Sequence, residues 1–160
     1  MIKKISLILL IATVIASCGG RKAAYNYSQD IVAKERRLEP AIMSTESKIE
    51  RFASERQFDS MAAVSGRMES LVQKTIDEIE GMKVPKAKLA DEFKSAIMRY
   101  FKYIKKIYTS YKEVATAETQ EEREKKAEEL VELAKGKNDE IQRMQEMQIK
   151  YAKANGFKVE

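Results

Sequence analysis

The chain has 160 residues, a formal net charge of +5 and charged side chains at 34% of positions, with the two signs interleaved. That length suits one domain with a real core, and the mild, scattered basicity lacks the concentrated cationic face of a nucleic-acid binder, so no nucleic-acid partner is expected. With no histidine and a single cysteine, the commonest transition-metal ligand and the usual general base are missing, which argues against zinc, haem and thiolate chemistry.

The N-terminus reads as an export signal. Lys3 and Lys4 precede an apolar run from Ile5 to Ala16, interrupted only by Ser6 and Thr13, which is the order of parts in a secretory signal. At about twelve residues the run is shorter than the roughly 20 that a spanning helix needs. Ile15, Ala16, Ser17 and Cys18 then read as a lipobox: small residues admit the processing enzyme, and the Cys18 thiol takes a diglyceride, followed by an amide-linked chain such as palmitate. Each buried methylene adds about 0.8 kcal/mol, so such an anchor is stable. The expected organisation is a signal peptide over 1–17, a lipidated tether over 18–24 and one domain over 25–160. Gly19, with no acidic residue in the following Gly20, Arg21 and Lys22, points to the outer membrane facing the periplasm. Loss of Lys3 and Lys4 leaves a mature formal charge of +3.

Past the tether, few glycines and prolines interrupt the chain, and apolar residues recur at three- and four-residue spacing in four segments. The first carries Tyr27, Ile31, Leu38, Ile42, Ile49 and Phe52, with Pro40 inside it, where the ring removes one backbone bond and is expected to kink the helix. The second carries Val64, Met68, Leu71, Ile76 or Thr75, Ile79 and Met82, entered through Phe58 as an apolar staple and Asp59 as an N-cap. Gly81, Val84 and Pro85 mark the stop and the fresh start of the third, which carries Leu89, Phe93, Ile97, Tyr100, Ile104, Ile107, Tyr111 and Val114. Thr119 and Glu122 make the capping-box spacing of the fourth, with Leu130, Ile141, Met144 and Tyr151 on its stripe, Gly136 inside it, and Asn155 with Gly156 at its end. Nothing alternates as a strand does. Helices of about 22 to 35 residues joined by short links predict an elongated, all-α, up-down-up-down four-helix bundle.

No glycine-rich phosphate loop, nucleophile elbow or Glu-x-x-His pair is present, so no catalytic residue, cofactor or metal is expected and the chain reads as a non-enzyme. The carboxylates from Glu121 to Glu132 are interleaved with Arg123, Lys125 and Lys126 and read as a solvated face. The most distinctive stretch is Met98–Lys112, where tyrosines alternate with lysines. Lys102, Tyr103, Lys105, Lys106 and Lys112 form a candidate face for an anionic partner, while Tyr100, Ile104, Ile107 and Tyr111 hold the spacing of a core stripe.

The lipobox, the start at Tyr25, Asn26 and Tyr27 leading into Ile31 and Val32, and the tail from Gln148 to Glu160 resemble a family of small helical lipoproteins common in Bacteroidetes, uncharacterised as a group. The resemblance implies a bundle and no particular activity. In such bacteria Asp59, Ser60 and Met61 match a short acceptor pattern for O-glycosylation, which marks Ser60, although helix capping accounts for the same Asp and Ser. The expected role is that of a membrane-anchored scaffold or binding protein for envelope proteins or anionic cell-wall polymer. The alternative is a carrier or sensor of a small apolar ligand held between helices, lined by the pliable side chains of methionine.

Overall fold

A computed structural model describes residues 19–157. The signal segment, Cys18 and residues 158–160 lie outside the described residues. Among the described residues five helices follow in chain order: α1 Gly19–Ser54, α2 Phe58–Glu80, α3 Ala90–Thr116, α4 Gln120–Lys135 and α5 Lys137–Ala154. α4 and α5 are one arm of the bundle divided at Gly136, so the architecture is the expected all-α four-helix bundle.

Contacts at the two ends fix the up-down-up-down course. At one end Gly20 lies beside the Lys86 carbonyl, Arg21 donates to the Gly156 carbonyl, and the Asn155 side chain accepts from Lys88 N at 3.3 Å and donates to Lys88 O at 2.9 Å. The start of α1, the α2–α3 loop and the end of α5 therefore meet. At the other end Arg123, which follows the α3–α4 turn, stacks on Phe58 at 4.1 Å.

The apolar stripes supply the core. α3 packs on α2 along one flank and on α4 and α5 along the other, which buries Phe93, Ile97, Tyr100, Phe101, Ile104, Ile107 and Tyr108. α1 lies along α2 and reaches α5 through side chains, with Tyr151 donating to the Ala24 carbonyl at 3.1 Å and Lys137 pairing with Glu46 at 3.2 Å. Phe93 stacks on Tyr151 at 4.5 Å and meets Tyr27 edge-on at 6.2 Å, tying α1, α3 and α5 together. Each such pair adds about 0.5–1.5 kcal/mol beyond the area it buries.

Boundaries differ from the sequence expectation in several places. The stretch expected as a tether is already helix from Gly19, and Ala24 is fully buried, so the bundle begins before residue 25. α1 runs through Pro40 without a break; the proline is exposed, so the carbonyl it leaves unbonded lies on a face open to solvent, where the lost bond costs least. α2 starts at Phe58 behind Gln57, and Asp59 sits inside the first turn as a favourable negative charge rather than as the cap. α3 begins only at Ala90: Leu89 precedes it at φ 60, a left-handed conformation that costs such a residue about 1–2 kcal/mol. The α4 start matches, with Thr119 accepting from Glu122 N at 3.1 Å. Gly156 closes α5 at φ 72, where a side chain would be strained.

Candidate functional site

Three of the five residues singled out on α3 come together. Lys102, Lys105 and Lys106 recur at three- and four-residue spacing and so share one face. They line an open groove of about 420 Å³ together with Thr109 of α3 and Gln73, Ile76 and Glu80 of α2. Lys102 and Lys106 are exposed and Lys105 half-buried, and among the described residues none of the three ammonium groups has an ion-pair or hydrogen-bond partner. Ile76 forms the apolar floor. Three mobile cations over such a floor attract an anion by charge and leave its shape largely unspecified.

Lys112 does not join them. It pairs with Glu69, whose other carboxylate oxygen accepts from Thr109 at 2.7 Å. Hydrogen bonding from Lys112, reinforced by Thr109 and the nearby charge of Lys105, holds the Glu69 carboxyl below its ordinary range despite some burial. The charge of Lys112 is thereby matched within the bundle.

Tyr103 faces the opposite flank. Its hydroxyl donates to the Leu133 carbonyl near the end of α4 and lies 3.4 Å from where a Cβ on Gly136 would stand. Burial, with Glu140 and Asp139 nearby, raises its pKa. Tyr103 is a strut at the helix break and is corrected out of the anionic-partner face, as is Lys112. Tyr108, also off the expected stripe, is 2% exposed, and burial raises its pKa strongly. The second flank of α3 accounts for both rings.

Ser60 stands half-buried in the first turn of α2, in an open hollow of about 700 Å³ lined also by Phe58, Ala117 and Arg123. The cap of α2 is Gln57 without a side-chain bond, so helix capping does not account for Asp59 and Ser60. Glu121, Glu122, Glu124, Glu128, Glu129 and Glu132 are all exposed, as a solvated face requires.

One group was not singled out from the sequence. Glu35 of α1 has its Oε1 buried without a hydrogen-bond partner among the described residues. Burial pushes its carboxyl up to about 7; hydrogen bonding from Tyr100 pulls the other way, Glu39 adds to the rise and Arg36 opposes it. The signal was legible: Ile31, Glu35, Leu38 and Ile42 hold the spacing of one stripe, so a carboxylate stands on the apolar face of α1.

In comparisons with known proteins, no family model, no curated sequence and no solved structure matches the chain.

Proposed function

We propose that the chain is an exported lipoprotein, acylated on Cys18, that acts without catalysis at the periplasmic face of the outer membrane by binding an anionic component of the envelope. The observation that carries the binding half of this reading is the gathering of Lys102, Lys105 and Lys106, unpaired among the described residues, in one open groove between α2 and α3. The anchoring half rests on the sequence alone, on the positive start, the short apolar run and the lipobox ending at Cys18. A carrier of an apolar ligand is the second reading. It is disfavoured by Met61, Met68 and Met144, each at most 4% exposed and packed into the common core, where methionine fills gaps.

The test is a triple variant, Lys102→Gln, Lys105→Gln and Lys106→Gln. Surface changes of this kind usually shift stability by about 0.5 kcal/mol or less each, so thermal denaturation should change little. Binding to isolated anionic cell-wall polymer should weaken, and its dependence on salt should flatten. Full retention of binding at low salt would remove the groove from consideration. Crosslinking from the anchored protein in its own cells then identifies partner and compartment together, and a purely cytoplasmic set of crosslinks would sink the anchored reading.

A further inference from the structure

The end of the bundle at which the chain enters is built from three separate segments: the first turn of α1, the α2–α3 loop and the last turn of α5. Lys22, Lys83, Lys86, Lys88 and Lys153 are exposed on these segments. Glu80, Asp91 and Glu92 are the carboxylates nearby in sequence, and the two on α3 occupy its first turn, where the helix start partly offsets them. Arg21 is turned inward to the Gly156 carbonyl, and Asn155 clasps the backbone of Lys88, so the loop is held firmly against α5. Next to Lys88, Leu89 is 37% exposed, and it is held there by a left-handed backbone that an L-residue adopts only at a cost. The surrounding Val84 and Pro85 are half-buried.

Exposed lysines beside a partly exposed apolar side chain are the composition of a surface that meets a bilayer: ammonium groups reach the phosphates while the apolar group enters the headgroup boundary. The opposite end differs in sign. The two turns there carry Glu55, Asp59, Glu118, Glu121 and Glu122, with Arg56 and Arg123 as the cations among them, so a negative surface attracts one end and repels the other.

We propose that the Gly19 end of the bundle docks face-down on an anionic lipid surface, with Lys22, Lys83, Lys86, Lys88 and Lys153 against phosphate headgroups and Leu89 in the interface. This rests on the anchored reading, which brings a membrane to that end through Cys18, and adds an orientation to it: the bundle stands upright, with the Lys102 groove above the surface and the acidic turns farthest away. A lysine close to an anionic bilayer strengthens partitioning roughly fivefold, so three of them together contribute roughly a hundredfold.

The mature acylated protein, reconstituted in phosphatidylcholine vesicles with or without phosphatidylglycerol, is labelled with an amine-reactive reagent and read by peptide mass spectrometry. Labelling of Lys83, Lys86 and Lys88 should fall several-fold in the anionic vesicles and recover at about 1 M salt, where screening is nearly complete, while Lys125 in the acidic half labels equally in both. Leu89→Gly relieves the backbone and preserves the fold, yet should diminish that protection. Equal labelling of the three lysines in both vesicle types, or an equal fall at Lys125, would overturn the proposal. If intact mass shows no lipid on Cys18, the anchored reading fails by itself. The unacylated chain is then sedimented with the same vesicles. Binding confined to the anionic ones and weakened about a hundredfold by Lys83→Gln, Lys86→Gln and Lys88→Gln keeps the docking face, and binding indifferent to vesicle charge or to those substitutions discards it.

Discussion

A carboxyl group on the apolar stripe of a helix must find a partner or keep its proton. Glu35 has Tyr100 beside it and no hydrogen-bond partner for its buried oxygen, and the opposing charge of Arg36 is too weak to offset burial, so it keeps the proton up to about pH 7 in the folded chain, whereas the unfolded chain releases it near 4.5. Between those two values the native state holds more protons, and stability falls as pH rises. Glu78 runs the other way. Hydrogen bonds from Lys34 at 2.8 Å and Arg37 at 2.6 Å hold its carboxyl down at about 2, so its contribution is present above 4.5 and is lost as pH falls through 2. Glu35→Gln should therefore stabilise the protein at pH 8 by up to about 3 kcal/mol and leave it nearly unchanged at pH 4.5. Chemical denaturation at the two pH values measures the difference. Equal effects at both would show that the wild-type carboxyl is already ionised at neutral pH and that its burial is relieved by solvent.

At the scale of the element, helix existence and caps were legible in residue spacing, whereas the consequences of single residues depended on where each helix faces. Thr119 and Glu122 announced the start of α4, and the bond is present. Pro40 announced a kink, but it lies on the wet side of α1, and the helix continues. Gly136 stands inside the fourth apolar segment; α4 ends there because Tyr103 from α3 holds the Leu133 carbonyl and lies 3.4 Å from where a side chain on Gly136 would begin. Spacing alone places Tyr103 on the lysine face and leaves Gly136 without a role, because their contact joins residues far apart in sequence. Alanine is about 1 kcal/mol better than glycine inside a helix, yet its Cβ would stand 3.4 Å from the Tyr103 hydroxyl, at the near edge of ordinary contact, and regularising the helix there would disturb the bond from Tyr103 to Leu133. Gly136→Ala should accordingly gain less than that in the wild type and recover more of it in a Tyr103→Phe background. A double-mutant cycle read by thermal denaturation gives the coupling, and strict additivity would mean that the break at Gly136 is set by something other than Tyr103.

At the scale of the whole molecule, four amphipathic segments joined by short links made the bundle readable, but not how unequally its helices share the core. α3 is enclosed on two flanks, which buries Phe101 and Tyr108 in addition to the expected stripe. α1 instead holds the fourth arm through side chains, most tightly where Tyr27, Phe93 and Tyr151 meet and Tyr151 bonds to Ala24. Phe93 is fully buried and is the one ring that touches both of the others in that cluster. Phe93→Ala leaves a cavity at the meeting point of three helices and should cost about 3–5 kcal/mol, a large share of the roughly 5–15 kcal/mol that stabilises a domain. If the bundle unfolds as one unit, the urea midpoint followed by circular dichroism should move down with the slope unchanged. A second, earlier transition in the variant would show instead that α1 and α5 part from the α2–α3 hairpin on their own, with the aromatic cluster as the clasp between two independently stable halves.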